Sequence, residues 1–258
     1  MNIICLLTFQ PSIIWLKFLT TFLNSDEYKI FIMVDDMEFD IEPFQNSWSE
    51  FIFLKTDAFL CTASGLGFMN PVIPRDHKRP SAWNKAVYHF THRYLSYENI
   101  WFIEDDVFIP CGQSIIDLDI KYAEYELLAA SHNINKTGSL DGWQWWKEVP
   151  AFLPPPWAHS MVAACRVSKN LLHIVRDFAL EHKSQSGVLF IEFIFNTLAL
   201  HNNLKVKEVN ELVNIISNMA ALKSPFDLSA IKKDCLYHPV KDIMLHDRLR
   251  NSIFESQI

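Results

Sequence analysis

Ile100-Trp-Phe-Ile-Glu-Asp-Asp-Val-Phe-Ile-Pro110 sets three consecutive acids, Glu104, Asp105 and Asp106, at the end of one apolar run and directly before another. The four residues ahead of the acids are aromatic or branched, the signature of a buried strand. A buried strand does not carry adjacent carboxylates without something to neutralise them. Hard divalent cations such as Mg2+ and Mn2+ prefer carboxylate oxygen, and Mg2+ is often shared between carboxylates and the phosphates of a nucleotide. The competing reading of so short a pattern is a solvated acidic turn.

Working outward, strands and helices alternate. A strand near residues 2–9 is followed by a helix near 11–24 that carries Ile14, Trp15, Phe18, Leu19 and Phe22 on one face. The run Tyr28–Val34 then ends in a second acid pair, Asp35 and Asp36, and a short strand near 51–55 follows. A Gly- and Pro-rich loop spans about 62–80, after which Ser81 caps a helix of roughly 82–95 that leads back to the acidic strand. This order implies an α/β domain with a mostly parallel sheet. Ligands of such sheets bind beyond the carboxyl ends of the strands, where both acid groups fall.

The second half is less regular. Residues 125–131 and 158–166 read as strands, and Ser168 opens a helix to about 183. A helix near 189–201 is apolar almost all round, with Glu192 its only acid. The loop 138–157 holds Asp141, Glu148, Trp143, Trp145, Trp146 and Trp157, and residues 207–258 read as a helix-rich tail. No repeat or linker divides the chain, so 1–258 is expected to be one domain.

Composition narrows the classes. At 258 residues and 50% hydrophobic, the chain can bury a large core, and its net charge of -7 argues against a nucleic-acid partner. Five scattered cysteines without a C-x-x-C favour a reducing compartment, hence a cytoplasmic location. Met1–Leu23 lacks a basic start and is broken at Gln10-Pro11, so neither a signal peptide nor a transmembrane segment is expected. Histidines are not spaced for a zinc helix.

The arrangement resembles the GT-A class of nucleotide-diphospho-sugar glycosyltransferases. Three segments carry the likeness: Phe102–Phe108, where that fold has its D-x-D motif; the Ser81–Ala86 helix start; and Tyr237-His-Pro-Val-Lys-Asp242. The resemblance implies a GT-A, Rossmann-like single domain, with 1–110 as its nucleotide-sugar half and 111–258 as acceptor half and tail, and a Mn2+- or Mg2+-dependent transfer of a sugar from a UDP- or GDP-sugar to a glycan or glycoprotein hydroxyl. It makes Asp106 the main metal ligand, with Glu104 and Asp105 assisting and His238 completing the shell, although Glu104 stands where the family has Asp. Lys85 and Lys241 would meet the diphosphate, and Asp35 and Asp36 the base or ribose. Lys85 has a plainer reading as a solvated helix lysine, and Asp35 and Asp36 as a capped turn. Glu192 becomes the candidate base of an inverting reaction, with Asp141 and then Glu148 as alternatives, and burial in an apolar helix would raise its pKa usefully. The clustered tryptophans suggest a lid or acceptor wall, against ordinary core packing. An inactive nucleotide- or carbohydrate-binding module and a sugar nucleotidyltransferase are the alternatives, the latter lacking a Gly-rich phosphate loop at the first strand.

Overall fold

The computed structural model describes residues 1–24, 26–67, 80–148, 153–183, 190–216 and 231–255. Its first half runs β1 (Asn2–Thr8), α1 (Ile13–Leu19), β2 (Tyr28–Val34), α2 (Glu42–Ser47), β3 (Ile52–Leu54), α3 (Ala58–Ala63), α4 (Ala82–His92) and β4 (Asn99–Glu104). The rest runs α5 (Gly112–Lys121), β5 (Leu127–Ala129), β6 (Asn133–Asn135), β7 (Trp157–His159), β8 (Ala164–Ser168), α6 (Lys169–Glu181), α7 (Ile191–His201), β9 (Val206–Glu208), β10 (Asn214–Ile215), β11 (Tyr237–His238) and α8 (Ile243–Glu255).

Among the described residues the central sheet has the order β3-β2-β1-β4-β8-β5-β9. All neighbours are parallel except the two pairings made by β8, which runs against β4 and β5. Strands β1, β2 and β4 are apolar on both faces because both faces are covered, as parallel strands require. Alternate side chains serve different layers. Ile3, Cys5, Leu7, Ile100 and Phe102 pack with α4, α6 and α7. Ile4, Leu6, Trp101 and Ile103 face α1 and α5. The registers Thr8↔Val34 and Leu7↔Glu104 bring the carboxyl ends of β1, β2 and β4 to one edge, and with them Thr8, Asp35 and Glu104.

Several expectations are corrected by the structure. The first helix is shorter than 11–24: Ser12 caps α1, its hydroxyl accepting from the Ile14 amide, and the helix tightens into a 3-10 turn at Thr20–Phe22. Residues 158–166 form two strands, because the chain leaves β7 for one pairing with β6 and enters β8 for another with β4. The tail is less helical than its composition suggests: it supplies β9, the parallel pair β10-β11 and, among the described residues, one α-helix, α8. Helix α5 was not foreseen, since Ser114 and Asp119 share its buried face with Ile115 and Leu118 while Ile120 is exposed, which blurs the apolar stripe. Most of the Gly- and Pro-rich loop, residues 68–79, lies outside the described residues.

That buried face also carries Asp119. Its carboxylate accepts from Trp101 Nε1 at 3.0 Å, Arg166 Nη1 at 2.9 Å and the Tyr28 hydroxyl at 2.6 Å. Arg166 Nη2 goes on to the Tyr122 and Tyr125 carbonyls. Asp119 and Arg166 are both buried, so removing one partner strands the other's charge away from water. Asp119→Ala should therefore cost about 3 kcal/mol of stability, seen as a fall in the urea midpoint at constant slope.

Candidate active site

The acids open a turn immediately after β4, in which the Val107 amide bonds back to the Glu104 carbonyl. Strand alternation sends neighbouring side chains to opposite sides, and this separates the three carboxylates by role. Asp105 turns toward β1, where Thr8 Oγ1 donates to its Oδ2 at 2.5 Å, and Trp15 Nε1 donates to its backbone carbonyl at 2.7 Å. Glu104 and Asp106 turn together toward His238.

His238 reaches them because the chain around β11 is laced to the turn after β4. Phe108 and Tyr237 exchange both backbone bonds, and the Val240 amide donates to the Asp106 carbonyl at 2.6 Å. The buried imidazole uses Nδ1 to donate to the Ile216 carbonyl at 2.7 Å, so Nε2 is the nitrogen facing the acids, and in the neutral ring its lone pair is open to a cation. Nε2 lies 3.4 Å from Asp106 Oδ1 and 3.8 Å from Glu104 Oε2. One ligand atom from each of Glu104, Asp106 and His238 falls within 4.8 Å of the others.

The electrostatics follow from this crowding. Burial raises the Glu104 carboxyl; the Trp83 indole, donating to Oε1 at 2.6 Å, opposes that, and Asp106 adds a like charge. Burial also raises Asp105, against its bond from Thr8. For His238 burial favours the neutral ring, but the Asp106 carboxylate 3.4 Å from Nε2, with Glu104, outweighs it and the net shift is upward.

A divalent cation fits these residues. Asp106 Oδ1 is buried with no hydrogen-bond partner among the described residues, a costly state for a carboxylate oxygen unless a cation serves it. Two carboxylates and one imidazole suit Mn2+ or Mg2+ better than a thiolate-loving ion, and a backbone carbonyl behind the histidine is the usual way to fix a ligand's tautomer. Trp83→Phe should leave Glu104 without its donor and weaken Mn2+ binding about tenfold, measured by direct titration.

Two clefts meet at the acids. One, of about 210 Å³, is lined by Leu7, Thr8, Phe9, Asp35, the amino end of α4 from Ser81 to Trp83, and all three acids. Its neighbour, of about 390 Å³, is lined by Gln10, Ser12, Trp15, Asp105, Asp106, Lys241 and Ile243. Helix α4 starts there because the Asn84 side chain accepts from both the amide and the hydroxyl of Ser81. Lys85 is 3% exposed, so the solvated-lysine reading fails, and its Nζ donates to the Asp35 carboxylate at 2.6 Å and carbonyl at 2.8 Å. Asp36 takes the plainer form: it accepts from Gln10 Nε2 at 2.6 Å and the Glu38 amide at 3.0 Å, capping a turn, and these bonds lower its pKa. Lys241 is exposed at the rim of the larger cleft.

Glu192 sits in the first turn of α7 and is half-buried. Burial, and after it the charge of Glu104, push its pKa up to about 7 against the lowering charge of His238, so it shares the field of the acid cluster. Asp141, by contrast, is exposed and held by the Ser139 hydroxyl at 2.9 Å, within its own loop. The Glu148 side chain lies outside the described residues. Trp146 and Trp157 belong to the core. Half-buried Trp143 stacks on His159 at 4.0 Å and on Phe190 at 5.6 Å, fastening the loop to the start of α7 beside Glu192. Sequence reasoning missed Thr8 and Gln10, whose one signal is that polar residues abruptly end the apolar run of β1.

No protein-family model matches the sequence, and no curated protein matches it. Solved structures do match its fold. Galactosyltransferase LgtC in complex with donor and acceptor sugar analogs is 10% identical, with a TM-score of 0.51 over 98% of this chain and 96% of that one. An active-site mutant of LgtC gives 0.50 at 9% identity over the same shares. Mouse xyloside xylosyltransferase 1, apo form, gives 0.42 at 10% identity, covering 92% of this chain and 97% of that one. The chain has the GT-A fold, with its acid and histidine cluster at the carboxyl edge of the sheet.

Proposed function

We propose that this chain is a metal-dependent glycosyltransferase that moves a sugar from a UDP- or GDP-sugar to a glycan or glycoprotein hydroxyl. The observation that carries this reading is the buried, unpartnered Asp106 Oδ1, facing His238 Nε2 and grouped with Glu104 where a GT-A sheet opens to ligand. Glu104, Asp106 and His238 would hold Mn2+ or Mg2+. When bound, the cation neutralises charge developing on the leaving diphosphate.

The remaining work belongs to the chain. Lys241, at the rim beside Asp106, meets the diphosphate as a point charge. The amino end of α4, opening onto the smaller cleft, favours the same anion. Asp35, fixed by Lys85, is positioned at the wall of that cleft to accept from the donor's ribose or base. Glu192 removes the proton of the acceptor hydroxyl as its oxygen bonds to the anomeric carbon and the diphosphate departs with the old bonding pair, which inverts that carbon. A pKa near 7 suits a general base working at neutral pH. The five free thiols support a reducing, cytoplasmic location.

The test is a panel of nucleotide sugars offered to the full chain with and without Mn2+, read first by thermal shift and then by release of nucleoside diphosphate. One nucleotide class should raise the melting temperature only when Mn2+ is present, and that donor should be consumed when an acceptor glycan is added. Metal-independent binding without turnover across the panel would overturn the reading.

A further inference from the structure

Helix α8 lies behind the cluster and carries two buried polar residues that no catalytic role requires, His246 and Arg250. The Val240 carbonyl can only accept, so His246 Nε2 donates to it, at 2.7 Å. Arg250 Nε donates to the Ile109 carbonyl at 3.0 Å. The two acceptors stand on the two segments that bring the cluster together: residues 106–109 carry Asp106, and residues 237–240 carry His238. Those segments are joined by the Phe108 and Tyr237 backbone pair and by the Val240 amide on the Asp106 carbonyl. Each donor on α8 therefore grips one side of the seam from behind.

Packing alone does not explain these side chains. His246 packs edge-on against Trp15 and Phe108, and the Arg250 guanidinium lies 3.9 Å from the Phe18 ring centre, in surroundings that are largely aromatic. Instead His246 Nδ1 and Arg250 Nη2 are buried without a partner among the described residues, each a penalty to stability. Buried polar groups that replacement by apolar residues would relieve make sense where they fix a geometry. Trp15, in contact with both, ties the same layer to the Asp105 carbonyl.

We propose that His246 and Arg250 are positioning residues for the metal site, holding the Asp106 and His238 segments at the separation a divalent cation needs. This rests on the metal reading above. Support of this kind typically changes metal affinity by about 10- to 100-fold when removed.

The experiment measures the affinity of the full chain for Mn2+ alone, counting free ion by its electron paramagnetic resonance signal, beside a urea titration that gives the folded fraction. Wild type should bind one Mn2+. His246→Leu and Arg250→Met should bind about tenfold or more weakly per folded molecule, while His246→Gln, whose amide can donate to the same carbonyl, should stay within about threefold. If His246→Leu does not fold, Arg250→Met and His246→Gln decide the matter. Variants that lose stability yet bind Mn2+ as wild type does, once folded, would overturn the positioning role and leave the metal site standing. Failure of wild type itself to bind Mn2+ would overturn both.

Discussion

Asp106→Asn lowers kcat/KM for sugar transfer by about a thousandfold, roughly 4 kcal/mol of transition-state stabilisation. The expectation follows from what surrounds this carboxylate. Its Oδ1 is buried, has no hydrogen-bond donor among the described residues and lies 3.4 Å from His238 Nε2. An amide at this position keeps the volume and removes the charge a cation would require. The same substitution should not destabilise the metal-free protein by more than about 1 kcal/mol, because the loss of His238's charge partner is offset by relieving Glu104 and Asp105 of a like charge that raises them both. Loss of activity with stability retained distinguishes a metal ligand from a structural acid. Steady-state kinetics and a urea melt on one preparation decide it.

Glu192→Gln lowers kcat by about a hundredfold to ten-thousandfold and removes a limb from the pH profile. A base acts only when deprotonated, so wild-type kcat/KM should rise with pH until the carboxyl has lost its proton, near 7 in the metal-free protein. A cation beside Glu104 would move that limb lower. Stability should run the opposite way. The unfolded chain releases this proton near 4.5 and the folded chain near 7, so between those values the folded state holds the proton more tightly. Stability contributed by the protonated form is therefore present below about 4.5 and lost as pH rises through about 7. At pH 8 Glu192→Gln should then be more stable than wild type by about 2–3 kcal/mol, while being far less active. A variant that loses stability and activity together would mark Glu192 as a structural residue.

The parts of the site that the sequence discloses are those whose local pattern conflicts with burial. Acids ending an apolar strand, at Asp35 and at Glu104, betray a wet sheet edge, and a single acid in an apolar helix marks Glu192. The sharing of work among the three acids was not legible in that way. Only strand alternation and the position of Thr8 separate Asp105 from its neighbours, which gives Glu104, the member with the unusual side chain, the place beside His238. Long-range pairings were equally hidden. Lys85 reads as any helix lysine until the fold lays Asp35 against it, 50 positions away. The tail looked helical because its strands, β9 to β11, are two or three residues long, too short for alternation to register. In the Trp-rich loop, composition alone suggested an exposed wall, whereas Trp146 and Trp157 are core and Trp143 is held between two rings.

Anomalous diffraction from crystals of the chain grown with Mn2+ and a nucleoside diphosphate tests the central claim most directly. A single strong manganese peak bounded by Glu104, Asp106 and His238, with diphosphate oxygens completing its shell, is the predicted result. Nucleotide bound in the cleft with no manganese at those three side chains would contradict it.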